Sequence, residues 1–201
     1  MATSLIFVFI IIICVIFYFS SKEKKRQEKE DLKTSLITEA NAYMDEVKKN
    51  KALPIVASNL MLEEKEKVLL EEASNLYEPR SVRNNQGSGA RIRIVKGLSV
   101  GGWSGQSESH MEWRNLDTGT LSLTSQRLIF RGSKENRIIK LTKIISWQVT
   151  LDTVVITIDG KAKSISFPVR NPYIWASTFI VMKSANDPEH LGDLKINVEL
   201  K

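Results

Sequence analysis

Basic side chains recur on the predicted strands in the second half of the chain, and they are the residues best able to bind a charged ligand. They are Arg91, Arg93, Lys96, Arg127, Arg131, Lys134, Arg137 and Lys140. Arginines on adjacent strands could grip phosphate or carboxylate through paired hydrogen bonds. The alternative interpretation is an ordinary solvated sheet face, on which edge lysines discourage aggregation. The residues predicted to bind a ligand are Arg91, Arg93, Lys96, Arg127, Arg131 and Lys134.

Residues that could support catalysis or hold a metal do not form a recognisable set in the sequence. His110 and His190 are far apart, neither has zinc-site spacing, and the only cysteine, Cys14, lies in an apolar run. Residues 97–101 match the G-x-S-x-G string of a nucleophile elbow, but that motif needs a strand that runs into a helix. Strand patterns lie on both sides here. We therefore predict a protein that is not an enzyme and that has no cofactor and no metal.

The charge balance bounds the classes of partner. Lys and Arg number 29 against 23 Asp and Glu, a net charge of +6 that suits an anionic membrane surface, nucleic acid or an acidic protein. Nucleic acid is disfavoured because exposed aromatics do not interleave with the basic residues. Trp103 and Trp113 lie on or near predicted loops and could contact a partner. Trp147 and Trp175 lie in phase with apolar neighbours and are predicted to be core residues.

The elements that must position these residues are strands, and the clearest of them lie within residues 117–145. Leu121 and Leu123 alternate with Ser122 and Thr124, a period of two that predicts antiparallel sheet with one face buried and one exposed. Ser125-Gln126 is short enough for a hairpin turn. Residues 132–133 supply a glycine for a second turn.

Strand patterns flank this stretch on both sides, and the composition predicts where they break. An extended segment, residues 76–80, is predicted to stop at Pro79, and residues 84–90 and 101–105 are predicted loops. Asn171-Pro172 predicts the N-cap and first turn of a closing helix that ends near residue 185. We predict an α+β fold, mainly β: a bent antiparallel sheet of seven strands, or a partial barrel, capped by a C-terminal helix. Residues 186–201 are predicted to be a polar tail.

The N-terminal segment differs sharply from the rest of the chain. Residues 5–19 contain no charge, glycine or proline, and we predict an uncleaved transmembrane helix over residues 4–20. Basic residues follow it at once: Lys22, Lys24, Lys25, Arg26 and Lys29. The positive-inside tendency then predicts a single-pass membrane protein with its N-terminus outside and its C-terminal domain cytoplasmic. The cluster also suits anionic headgroups, at roughly 1 kcal/mol per residue, although a topology signal alone explains it equally well.

Residues 21–52 are predicted to be a charged helical spacer. Its apolar positions recur at helical spacing: Leu32, Leu36, Ala40, Tyr43 or Met44, and Val47. This stripe could pair with a second copy as a short coiled coil and make a homo-oligomer. Packing against the chain's own domain is the use that we favour.

A family resemblance rests on residues 119–130, GTLSLTSQRLIF, followed by the GSK of residues 132–134 and the LTKI of residues 141–144. This pattern resembles the core motif of bacterial GRAM-type, pleckstrin-homology-like domains over residues 65–185, within a predicted domain at residues 54–185. The resemblance implies binding of lipid headgroups or protein segments, and Arg91-x-Arg93 with Lys96 partly matches the basic pair of a headgroup site.

The expected function is a membrane-anchored, non-catalytic binding module for a protein partner or an anionic lipid. The alternative is an assembly protein of the membrane that oligomerises through its helical spacer. The two differ in which part of the chain meets the partner: the sheet domain or the helix.

Overall fold

The computed structural model describes the backbone of residues 2–95, 98–185 and 187–191, and the side chains of residues 17–18, 20–82, 110–185 and 187–191. The helices are α1 (Ala2–Asn50) and α2 (Pro172–Ser184), with a single 3₁₀ turn at Leu141–Lys143. The strands are β1 (Val68–Val95), β2 (Leu98–Thr124), β3 (Arg127–Gly132), β4 (Asn136–Lys140), β5 (Ile144–Val149), β6 (Thr153–Ile158) and β7 (Ile165–Pro168).

The strands form one antiparallel sheet in the order β4-β3-β2-β1-β7-β6-β5, which confirms the α+β, mainly β, class. The predicted two-residue hairpin between β2 and β3 is present, because Leu123 pairs with Leu128 across Ser125-Gln126. Strands β4 and β5 are the two edges of the sheet. They are consecutive in the chain, joined only by the 3₁₀ turn.

The hydrophobic core lies on one face of the sheet, under α2. The period-two pattern places its largest fully buried side chains there: Leu76, Leu121, Leu123, Leu128, Phe130, Ile156, Ile165 and Phe167. Trp175 and Phe179 of α2 close this layer. Trp175 is therefore a core residue as predicted, whereas Trp147 is only partly buried and packs against the core, stacked on Phe179 with ring centroids 4.6 Å apart.

The start of α2 is as predicted. The side-chain oxygen of Asn171 accepts hydrogen bonds from the backbone N–H groups of Tyr173 (3.1 Å) and Ile174 (3.3 Å), and Pro172 is the first helical residue. The cap is also a tertiary contact, because the Asn171 amide donates to the backbone oxygen of Leu36 in α1 at 3.0 Å. Helix α2 ends at a C-cap on Ala185.

The C-terminal part of α1 packs on its own domain, as we favoured for the helical spacer. Leu36, Ala40, Met44 and Val47 are buried, and Met44 and Val47 belong to the main core. Tyr43 contributes from the same side and accepts a hydrogen bond from the Thr178 hydroxyl at 3.2 Å. The apolar stripe from Leu36 to Val47 is therefore covered within one chain.

The backbone of α1 is helical through the predicted membrane span, residues 4–20. The side chains of that span lie outside the described residues, apart from Phe17, Tyr18 and Ser20.

Among the described residues, no helix has a stretch that is both long enough and apolar enough to cross a membrane.

The outer face of β2, which the period-two pattern predicts to be exposed, is covered by another segment of the chain. Ser122 and Thr124 are fully buried and Ile129 is nearly so. The cause is a segment without regular structure, residues 54–63, which crosses β1, β2 and β3; we call it the strap. The Ser58 hydroxyl donates to Glu71 of β1 at 2.6 Å, and Ser122 donates to the same carboxylate at 2.7 Å. The prediction of one exposed face is thus wrong for β2.

The predicted stop at Pro79 and the predicted loops at residues 84–90 and 101–105 are also wrong. β1 continues through Pro79, and its backbone pairs with β2 from Pro79↔Trp113 through Gly87↔Gly105 to Ile92↔Val100. Among the described residues beyond Tyr77, β2 is the only strand that pairs with β1, so Pro79 lies at an edge where a missing N–H is tolerated. We call residues 78–95 with 98–115 the β1–β2 arm.

Candidate functional site

A groove on the outer face of the sheet brings together two of the predicted ligand-binding residues, Arg127 and Arg131. Strands β3 and β4 form its floor and the strap forms a wall, around a volume of about 420 Å³. Its lining is Asn59, Leu60, Met61, Arg127, Ile129, Phe130, Arg131, Asn136 and Ile138. We call it the β3–β4 groove.

Apolar side chains in this groove are unusually exposed. Met61 of the strap is 95% exposed and Ile138 of the edge strand β4 is 64% exposed. Ile138 lies on an open strand edge, where backbone N–H and C=O groups are not used by a further strand of the described sheet. An apolar surface beside an open edge suits an extended peptide, which can add backbone hydrogen bonds to side-chain contacts.

Arg127 is already engaged within the chain. Its Nε and Nη2 atoms each donate to the Glu66 carboxylate at 2.8 Å, and Nη1 lies 3.1 Å from Glu63. The Glu66 side chain is completely buried. Burial by itself raises the pKa of Glu66, but hydrogen bonds from Arg127, Thr124 and the Glu63 backbone outweigh it and lower this pKa. Arg127 therefore ties the strap to β3 rather than presenting an uncompensated positive charge.

Arg131 presents its charge in the groove, and Lys134 lies in the turn that follows β3. Arg131 pairs with Asn136 across β3 and β4. The side chains of Arg131 and Lys134 are exposed. The groove thus has apolar walls and a positive charge.

A buried carboxylate, Asp117, fixes the turn that carries Lys134. Its Oδ2 atom accepts hydrogen bonds from the backbone N–H groups of Lys134 (2.6 Å) and Glu135 (2.8 Å), and Oδ1 accepts from the Ser133 hydroxyl (3.0 Å). These hydrogen bonds, led by the Lys134 N–H, lower the pKa of Asp117 to about 2. Sequence reasoning missed this role, because the only local signal is an Asp-Thr-Gly string ahead of a strand.

The other basic residues of the predicted sheet face lie outside this groove. Arg137 is paired with Glu78 at 3.2 Å and Glu135 at 2.7 Å. Lys140 lines a different concavity of about 500 Å³, between the β2–β3 turn and the C-terminal end of α2, together with Thr142, Lys183 and Glu63.

Arg91 and Arg93 are not brought together with Arg127 and Arg131. Arg91 pairs with Gly101 in the distal part of the β1–β2 arm, whereas Leu128 pairs with Leu123 near the other end of β2. At ~3.3 Å per residue, these two points are about 70 Å apart along the strand. The side chains of Arg91 and Arg93, and the whole of Lys96, lie outside the described residues. A role for these three residues stays a prediction.

The basic cluster after the apolar segment is fully accessible. Every member is exposed on α1: Lys22, Lys24, Lys25, Arg26 and Lys29. These residues lie on the same continuous helix that enters the domain core at Met44 and Val47. The cluster therefore lies between the apolar segment and the domain.

The described residues with catalytic or metal-binding side chains do not converge. No group of three or more His, Cys, Asp and Glu residues in the described part of the chain could hold a metal ion. His110 contacts Glu112 at 2.6 Å on the exposed base of the β1–β2 arm. Trp113 is half-exposed beside them.

Comparisons with protein-family models, with curated proteins and with solved structures found no match to this chain.

Proposed function

We propose that the chain is a membrane-anchored, non-catalytic binding module. The observation that carries this proposal is that α1 continues without a break from Ala2 to Asn50 and ends in the domain core. At 1.5 Å per residue its 49 residues measure about 74 Å, whereas a bilayer core needs about 30 Å. Enough helix remains beyond the bilayer core to connect the anchor to the domain. The apolar run of residues 5–19 is the proposed anchor, and the basic residues that follow it favour a cytoplasmic domain.

A pleckstrin-homology-like domain is the proposed fold family for residues 54–185. Seven antiparallel strands followed by a closing helix support it, as does the position of the GRAM-like motif. Residues 119–130 of that motif form the β2–β3 hairpin, and its leucines and Phe130 lie in the core. The motif residues therefore account for packing, and the ligand must be inferred from the surface.

The ligand that the β3–β4 groove suits best is an extended protein segment with an apolar side chain and an acidic residue. Met61 and Ile138 offer apolar contacts, Arg131 and Lys134 offer positive charge, and the edge of β4 offers backbone hydrogen bonds. An anionic lipid headgroup is the second ligand class. The groove suits it less well because Glu66 and Glu63 compensate the charge of Arg127.

Assembly through the helical spacer is the alternative function. It would have to use the part of α1 before Leu36, since the stripe from Leu36 to Val47 is buried within the chain. Leu32, half-exposed, is the remaining apolar residue of that stripe.

Site-specific photo-crosslinking in native membranes tests the groove. A photoreactive amino acid replaces Ile138 in the full chain, and a matched chain carries it at Ile145, which is 63% exposed on the other edge strand, β5. We expect a discrete protein adduct from position 138 and a much weaker one from position 145. Adding Arg131→Glu to the position 138 chain should abolish the adduct.

Other crosslinking results would point to a different ligand or argue against the groove. Equal adducts from both positions, or no protein adduct from position 138, would sink the groove as a protein-binding site. An adduct whose mass is that of lipid assigns the groove to headgroups. A dimer of the chain from position 138 would assign the groove to a second copy of the chain.

A further inference from the structure

The basic residues after the apolar segment are sorted onto one face of α1. Lys22, Lys25, Arg26, Lys29 and Lys33 follow one another at spacings of three, one, three and four. At 3.6 residues per turn, they lie within an arc of about 100° along roughly 17 Å of helix. We call these five residues the basic stripe.

Acidic residues of the same segment lie outside that arc. Glu23, Glu28, Glu30 and Asp31 project between about 90° and 170° away from its centre by the same helical geometry. Lys24 is the one lysine of the cluster that lies off the stripe. Charges of opposite sign are therefore segregated around the helix, and not only along it.

The basic stripe is in phase with the face that packs on the domain. From Lys33 the same helical row continues through Leu36, Ala40, Met44 and Val47, all of which are buried against the sheet and α2. The stripe and the domain thus lie on the same side of α1. Four members of the stripe are exposed, and Lys33, nearest the domain, is partly buried.

A topology signal does not account for this arrangement, because the positive-inside tendency depends on the number of Lys and Arg residues near a span and not on the helix face they occupy. A flat anionic surface does act on a face. In an upright α1 the far end of the stripe would stand more than a Debye length, about 8–10 Å, from the headgroups. Tilting α1 toward its basic face would bring the stripe nearer to the headgroups and lower the domain with it.

We propose that the basic stripe docks on anionic lipid headgroups of the bilayer that holds α1, and that this contact tilts the helix and sets the domain against the membrane. The proposal rests on the membrane anchor proposed above. The combined attraction of several basic residues to an anionic surface is enough to bias a tilt. The domain's position then depends on the anionic lipid content and on the salt concentration.

Energy transfer between the domain and the headgroups measures this contact. The full chain carries Cys14→Ser and a donor dye on Gln148→Cys, an exposed position of β5 next to Val149, which packs against Leu36 and Ala40. Vesicles contain acceptor-labelled headgroups in phosphatidylcholine, with or without one-third phosphatidylglycerol. We expect higher transfer with phosphatidylglycerol, and loss of that gain in 0.5 M NaCl.

Two charge-exchange variants keep the overall charge and the number of basic residues of the parent chain. The stripe variant exchanges Lys25 with Glu28 and Lys29 with Asp31 (Lys25→Glu, Glu28→Lys, Lys29→Asp, Asp31→Lys), and it should lose most of the gain. The control exchanges the off-stripe pair (Glu23→Lys, Lys24→Glu) and should keep it.

Every other outcome counts against the docking proposal. If the chain resists alkaline extraction but the stripe variant responds like the control, the anchor stands and the stripe has no docking role. If the parent chain shows no gain at all, the lipid proposal is contradicted and an acidic protein becomes the candidate for the stripe. If alkali releases the chain from the vesicles, the anchor fails first and the docking proposal fails with it.

Discussion

Glu66 and Arg127 show how a residue predicted to bind a ligand also stabilises the fold. The Glu66 carboxylate accepts hydrogen bonds from Arg127, from the Thr124 hydroxyl at 2.6 Å and from the Glu63 backbone N–H at 2.8 Å. A buried carboxylate needs such partners, because water cannot reach it. The result is a fixed strap, and hence a fixed wall for the β3–β4 groove.

Removing one partner of this ion pair should cost far more than removing both. We expect Arg127→Ala to lower the free energy of unfolding by about 3 kcal/mol, because it leaves the Glu66 charge buried and uncompensated. The double variant Arg127→Met with Glu66→Met should be less destabilised than Arg127→Ala. Chemical unfolding of the full chain in detergent measures both. If both variants lost the same free energy of unfolding, the buried and unpaired Glu66 charge would not be the cause of the loss.

Asp117 should make stability depend on pH in the acid range. Its pKa is lowered from an ordinary value of 3.8 to about 2 in the fold, so the stabilisation is fully present above about pH 4 and is lost as the pH falls toward 2. Asp117→Asn removes the titrating group, and its free energy of unfolding should fall less steeply between pH 4 and pH 2 than that of the parent chain. Parallel pH profiles would show that Asp117 does not contribute.

For single residues, the sequence predicted where a residue lies in the fold better than what that residue does there. The turn pattern explains Gly132 by the backbone freedom of glycine. In the structure, glycine is required there because a side chain does not fit: a Cβ would lie 2.1 Å from the Asp117 Oδ2 atom. Arg127 and Glu66 are separated by 61 positions in the chain. No local pattern indicates such a pair.

Among the elements, the cap of α2 joins local and tertiary structure in one side chain. Asn171→Ala should lower the free energy of unfolding by about 1–3 kcal/mol, since it removes the N-cap hydrogen bonds and leaves the Leu36 carbonyl without the Asn171 amide. Asn171→Ser keeps an N-cap oxygen but cannot reach α1. We expect it to recover about 1 kcal/mol. Thermal unfolding compares the three chains, and a serine variant as unstable as alanine would place the whole effect at the α1 contact.

Elements whose signals are local were predicted well. The Asn171-Pro172 start of α2 and the two-residue β2–β3 turn depend on neighbours in the sequence, and the structure confirms both. The β1–β2 arm was missed because Pro79 and the glycines around Gly87 and Gly105 are typical of loops. Pairing with the facing strand overrides those preferences. The cover over Ser122 was missed because the strap has no periodic pattern.

For the whole molecule, the arrangement of parts matters more than their number. The sheet class and the closing helix followed from the sequence, whereas the distance between Arg91 and Arg127 did not, because it is set by how far β1 and β2 extend together. The basic stripe and the domain lie on the same side of α1, because the stripe residues occupy the same helix face as the buried Leu36 and Val47. The groove and the stripe are therefore two separate surfaces, which we propose for a protein segment and for lipid.

Cysteine accessibility in cells that express the full chain tests the proposed membrane anchor and orientation most directly. In a Cys14→Ser background, single cysteines replace Thr3, ahead of the apolar run, and Gln148, on β5 of the domain. A membrane-impermeant maleimide should label position 3 on intact cells and position 148 only after permeabilisation, with the chain resisting alkaline extraction. Labelling of position 148 on intact cells, or release of the chain by alkali, would contradict a cytoplasmic binding domain held at the membrane by α1.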